Sequence, residues 1–151
     1  MRLVREVQEF LACFFLLLLL SGCGEADQVA EQACGSLGAR SSVLKIFSDD
    51  ENNALVTFAL KNSSSLEAMM NAAKSEIEKS AISDGAKKAA VYSLGDTILV
   101  KSKDNATREV TCIAILSVTV LDTIAEKEIE FRVKQTTDRT PFVSVSPFLF
   151  K

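Results

Sequence analysis

The sequence predicts an α+β domain. One main amphipathic helix packs on a curved antiparallel sheet of about five to six strands, after an N-terminal signal peptide. Three observations predict it. Residues 65–82 repeat their apolar positions at helical spacing, and residues 108–136 alternate at strand spacing. Residues 10–20 form one unbroken apolar run that belongs to neither pattern.

The leader comes first. Arg2 and Arg5 supply a positive start, residues 10–20 an apolar middle, and Ser21 and Gly22 the small residues a peptidase needs at its cut. The run falls short of the roughly 20 apolar residues that a membrane-spanning helix needs. Leu20-Ser21-Gly22-Cys23 closes it. This tetrapeptide resembles the lipobox of bacterial lipoproteins. The resemblance implies cleavage between Gly22 and Cys23 and a lipid on Cys23, with the membrane as a partner through that anchor. In those lipoproteins an aspartate after the cysteine favours the inner membrane. Gly24 stands there, so the resemblance implies the outer membrane, facing the periplasm. The expected organisation is a signal peptide over 1–22, a lipidated tether and short helix over 23–33, and a single α+β domain over 34–151.

The remaining chain of about 130 residues is one domain long and can bury one core. Its elements follow in order. Val29, Ala33 and Leu37 sit at helical spacing in a short helix that Gly35 and Gly38 end. Residues 42–47 and 54–60 read as two strands of a hairpin around the polar tip 49–53. The long helix spans 65–82, with Ser64 and Glu67 as a capping box and Leu66, Met69, Met70, Ala73, Ile77 and Ala81 as its apolar stripe. Lys74 and Glu78 are placed to pair on its wet side. Leu94-Gly95-Asp96 reads as a turn into a strand over 97–101, and residues 103–106 as the next turn.

The longest strand spans 108–121. Val110, Cys112, Ala114, Leu116, Val118 and Val120 share one face, while Ile113, Ile115 and Leu121 make the other face partly apolar. Residues 127–136 alternate most cleanly. Ile129, Phe131 and Val133 point one way; Glu128, Glu130, Arg132 and Lys134 point the other. Pro141 and Pro147 make the terminal segment 140–150 an edge strand. Cys112-Ile113-Ala114-Ile115-Leu116, Phe131-Arg132-Val133 and Phe142-Val143-Ser144-Val145 together resemble the strands of small exported bacterial domains. Those domains are often cystatin-like or nuclear-transport-factor-like. The resemblance implies a helix on a curved sheet and carries no active site.

Composition narrows the chemistry. The net charge is −3, there is no basic run, and no nucleic acid partner is expected. Histidine is absent, which removes the commonest general base and zinc ligand and every histidine-dependent nucleophile system. No cofactor, metal or catalytic residue is expected. Ser75 beside Lys74 and Lys79 is a dyad only in composition, because periodicity puts both lysines in water. With Cys13 in the leader and Cys23 lipidated, Cys34 and Cys112 remain for an oxidising compartment. They are expected to form a disulfide, the alternative being two buried free thiols.

Together these features lead to the expectation of a non-enzymatic, membrane-anchored lipoprotein of the bacterial cell envelope. It would act as a binding or accessory protein for another envelope or exported protein. Glu128, Glu130, Arg132 and Lys134 are the candidate partner face, with the apolar C-terminal segment as a second candidate. The alternatives are a small-ligand carrier, with Ile113, Ile115 and Leu121 lining a pocket in the curved sheet, and an immunity or inhibitor lipoprotein.

Overall fold

The computed structural model describes residues 25–136 and 141–146. The leader and the Leu20-Ser21-Gly22-Cys23 motif lie outside the described residues, as do Pro147, Phe148 and Phe150. Among the described residues five helices precede a sheet: α1 (Glu25–Gly35), α2 (Leu37–Ser48), α3 (Ala54–Asn62), α4 (Ser64–Ala72) and α5 (Glu76–Lys88). The strands β1 (Val91–Asp104), β2 (Glu109–Val120), β3 (Thr123–Gln135) and β4 (Pro141–Val145) then form an open antiparallel meander in the order β1-β2-β3-β4. The class is α+β. No described helix is long and apolar enough to cross a membrane.

The strand count differs from the five to six expected, because the presumed hairpin over 42–60 is helical. Ser36 caps α2 by accepting the Ala39 N–H at 3.2 Å, and Asn53 caps α3 by accepting the Leu55 N–H at 3.0 Å. Ala39, Val43 and Phe47 are buried at successive fourth positions, and Leu55, Val56 and Ala59 form the buried stripe of α3. The alternation at Val56, Phe58 and Leu60 is accidental: Val56 is buried, but Phe58 is 48% exposed. Tertiary burial of a helical stripe here outweighs the strand propensity of valine, isoleucine and phenylalanine.

The single long helix over 65–82 is two helices. Ser75 lies in extended conformation and its hydroxyl accepts the Glu78 N–H at 3.2 Å, which opens a new helix. The Glu78 carboxylate in turn accepts the backbone N–H of Lys74 at 2.8 Å. Glu78 therefore caps a helix N-terminus instead of pairing with the Lys74 side chain. The cap of α4 is Ser63, one residue before the expected Ser64. Leu94-Gly95-Asp96 is not a turn either. It is an irregularity inside β1, where the register with β2 shifts between Leu94 and Ile98.

The strand faces match the periodicity. Val110, Cys112, Ala114, Leu116, Val118 and Val120 are all buried, as are Ala125, Ile129, Phe131 and Val133 on β3. They form one core with the inward residues of the helices. Cys34, in the last turn of α1, forms a disulfide with Cys112 in β2, with Cα atoms 6.0 Å apart. Both cysteines are fully buried. Ala30, Ala33 and Cys34 carry α1 into the core, while Leu37, expected on the same stripe, is exposed.

Candidate functional site

A four-stranded antiparallel sheet has two faces, and the described helices use only one of them. The pairing register places the other face in rows across the strands. Val91, Thr119 and Ile124 form the first row, and Ser93, Ser117 and Glu126 the second. Ile115 lies beside Glu128, and Leu99 and Ile113 lie beside Glu130. Ser102, Thr111, Arg132 and Ser144 make the next row, and Asp104, Glu109, Lys134 and Phe142 the last.

The four sequence-predicted residues therefore stand together on one surface, along the outer side of β3. Glu130 forms an ion pair with Lys101. Arg132 Nη1 lies 3.7 Å from Glu109 Oε1. Glu126 accepts the Ser117 hydroxyl at 2.8 Å. Among the described residues Glu128 and Lys134 have no partner. Both are exposed.

Beside this charged column lies an apolar strip that the sequence reading saw only in part. Leu99 is 60% exposed, Ile124 63% and Ile115 41%, and Ile113 is half-buried among them. Leu99 and Ile124 escaped notice for definite reasons. Leu99 lies in the short strand 97–101, too few residues for the sequence to assign its faces, and Ile124 belongs to a strand that starts four residues earlier than its alternation suggested. Single exposed apolar residues are ordinary on any surface. Several on one sheet face, rimmed by charges, have the composition of an interface.

Two further polar clusters serve the fold. In the turn between β2 and β3, Asp122 accepts the hydroxyls of Ser63 and Ser64, each at 2.5 Å, and the Ser65 N–H at 3.2 Å. The Ser63 hydroxyl, then that of Ser64, holds its carboxyl well below the usual carboxylate range. Asp104 begins the β1–β2 turn, and hydrogen bonds from Thr107 and Ala106 lower its pKa. Burial, with the Asp50 carboxylate second, raises Tyr92.

Ser75 is engaged as a helix cap, and Lys79 pairs with Glu76 at 2.7 Å, so no serine–lysine dyad is assembled. In the acidic segment 49–53, Asp49 pairs with Lys45 and Asp50 accepts the Asn52 N–H. Among the described residues no group of three or more metal-ligating side chains converges. A surface pocket of about 110 Å³ lies by α1 and the β1–β2 turn, lined by Ala30, Lys103, Asp104, Asn105, Arg108 and Glu109 among others. Ile113 and Ile115 do not line it; they lie on the open outer face of the sheet.

Comparison of the chain with protein-family models, with curated proteins and with solved structures finds no match in any of the three.

Proposed function

We propose that this chain is a non-enzymatic lipoprotein of the bacterial cell envelope, held by a lipid on Cys23 and working by protein contact through the outer face of its sheet. The observation that carries the reading is that face: an apolar strip of Leu99, Ile113, Ile115 and Ile124 beside the charged column Glu126 to Lys134, with no described element packed over it. The anchor and the outer-membrane address rest on the leader, the lipobox-like Leu20-Ser21-Gly22-Cys23 and Gly24. A disulfide between Cys34 and Cys112 is consistent with export to an oxidising compartment. An inert chemistry fits the absence of histidine from the whole chain.

The test is crosslinking in the cell with the Cys23 anchor kept. A photoreactive residue is placed at Glu128 on the face, and at Thr57 as an exposed position on α3. A protein crosslinked from Glu128 and not from Thr57 supports the reading. Crosslinks to nothing from Glu128, under conditions where another lipoprotein captures its own partner, contradict it.

A further inference from the structure

The outer face has a directional charge pattern. Along β3 its side chains run Glu126, Glu128, Glu130, Arg132, Lys134, acidic for three positions and basic for two. A surface that binds its own copy about a two-fold axis must be complementary to itself when turned around. Take the axis across the strands, along the row Leu99, Ile113 and Glu130. Rotation reverses the strand direction and lays each row over the row equally far on the other side. Glu128 then meets Arg132 of the second copy, and Glu126 meets Lys134.

The second strand fits the same operation. Ile113 comes over its own copy at the centre, and Thr111 over Ile115. Glu109 comes over Ser117, whose hydroxyl hydrogen goes to Glu126, and on β1 Asp104 comes over Ser93, which sets a carboxylate acceptor over a hydroxyl donor. The two Glu130 carboxylates approach each other at the axis, but each carries its own Lys101. An axis along β3 would instead stack Glu128 on Glu128 and Arg132 on Arg132, which like-charge repulsion disfavours. Packed sheets need align only within about 30°, so the pairing tolerates their twist.

The size of the face also suits a second copy. From Ile124 to Lys134 it runs roughly 34 Å along β3 and roughly 15 Å across, on the order of 500 Å² flat and more with side-chain relief. A standard interface buries about 800 Å² on each partner.

We propose that the outer face is a two-fold interface between two copies of this chain, in which Glu128 of each pairs with Arg132 of the other. The inference rests on reading this face as a contact surface and names its partner. It does not depend on the lipid anchor.

The test is sedimentation of the full-length protein purified in detergent, as wild type, as Glu128→Arg, as Arg132→Glu and as the double exchange. The wild type sediments as a dimer. Each single variant sets like charges opposite each other and raises the dissociation constant by about tenfold or more. The double variant regains dimerisation, because the exchanged charges again meet their opposites. So does an equal mixture of the two single variants, as a heterodimer. Both substituted side chains are exposed, and unchanged circular dichroism spectra separate loss of association from loss of fold. A wild type that stays monomeric overturns the inference, as do single variants that dimerise equally well or a double variant and mixture that both stay monomeric. Crosslinking from a photoreactive residue at Ser93, an exposed position on the same face outside the Glu128–Arg132 pair, separates the two readings. Capture of a different protein by a monomer overturns the dimer and leaves the contact surface standing; capture of nothing overturns both.

Discussion

Asp122, at the tip of the β2–β3 hairpin, accepts the hydroxyl hydrogen of Ser63 at 2.5 Å, and that same Ser63 oxygen caps α4 by accepting the Leu66 N–H at 3.0 Å. One buried hydroxyl thus joins the sheet to a helix N-terminus, where negative charge is favoured. The turn is also strained: Leu121 beside it has a φ of 53°, a region that suits glycine. The staple gives the tip a fixed place on the helical layer despite that strain.

This contact predicts an acid-sensitive stability. The Asp122 carboxyl titrates lower in the folded chain than in the unfolded one. Its contribution is therefore fully present above the unfolded value near pH 4 and is lost as pH falls through the folded value. Asp122→Asn lowers the melting temperature at neutral pH, and the difference from wild type shrinks as the pH is taken below about 4. Thermal unfolding of both proteins across that range checks it.

Asn53 is a second junction. It is 1% exposed, donates Nδ2–H to the Phe47 carbonyl at 2.9 Å, and accepts the Leu55 N–H at 3.0 Å. Asn53→Ala removes the cap of α3 and leaves the Phe47 carbonyl without this partner. The predicted loss is about 2 kcal/mol in urea unfolding, with Asn53→Asp recovering only the cap.

These junctions explain which parts of the fold the sequence made legible. The faces of β2, and of β3 from residue 127 onward, were legible because one face is buried and period-two burial writes itself directly into residue type. The charged column Glu128, Glu130, Arg132 and Lys134 followed from the same alternation. The helices α2 and α3 were misread because Val43, Val56 and Phe47 favour strands, while the signals for helix were single capping residues, Ser36 and Asn53, whose hydrogen bonds appear only in three dimensions. The division of the long helix was written in Ser75 and Glu78, a capping pair inside an apolar stripe that the periodicity bridged. The charged half of the contact surface was legible. Of the apolar half, Ile113 and Ile115 followed from the alternation of β2, while Leu99 and Ile124 lie in a short strand and at a strand start, where too few alternating residues assign a face.

The register shift in β1 between Leu94 and Ile98 carries a contact from the helical layer. Arg40 on α2 donates Nη2–H to the Leu94 carbonyl at 2.6 Å and Nη1–H to the Gly95 carbonyl at 3.2 Å. It holds the carbonyls that the register shift frees from the ladder. Arg40→Met keeps the aliphatic stem and removes the charge-assisted bonds, with an expected cost of about 2 kcal/mol. Hydrogen exchange should quicken first at residues 94–98, before the centre of β2.

The disulfide closes a span of 78 residues between α1 and β2. Replacing both Cys34 and Cys112 by Ala is expected to lower stability by about 4 kcal/mol. Because both sulfurs are bonded to each other and the bond is buried from reductant, the native protein should take up no alkylating reagent at these two positions, and should do so only after denaturation and reduction.

Intact-mass analysis of the protein purified from the membrane fraction tests whether the domain is exported and tethered. The expected chain begins at Cys23, carries the added mass of a lipid on that residue, and is replaced by an unlipidated product released from the membrane when Cys23 is changed to Ser. An unprocessed chain beginning at Met1, or one cut elsewhere and free of lipid, would contradict it.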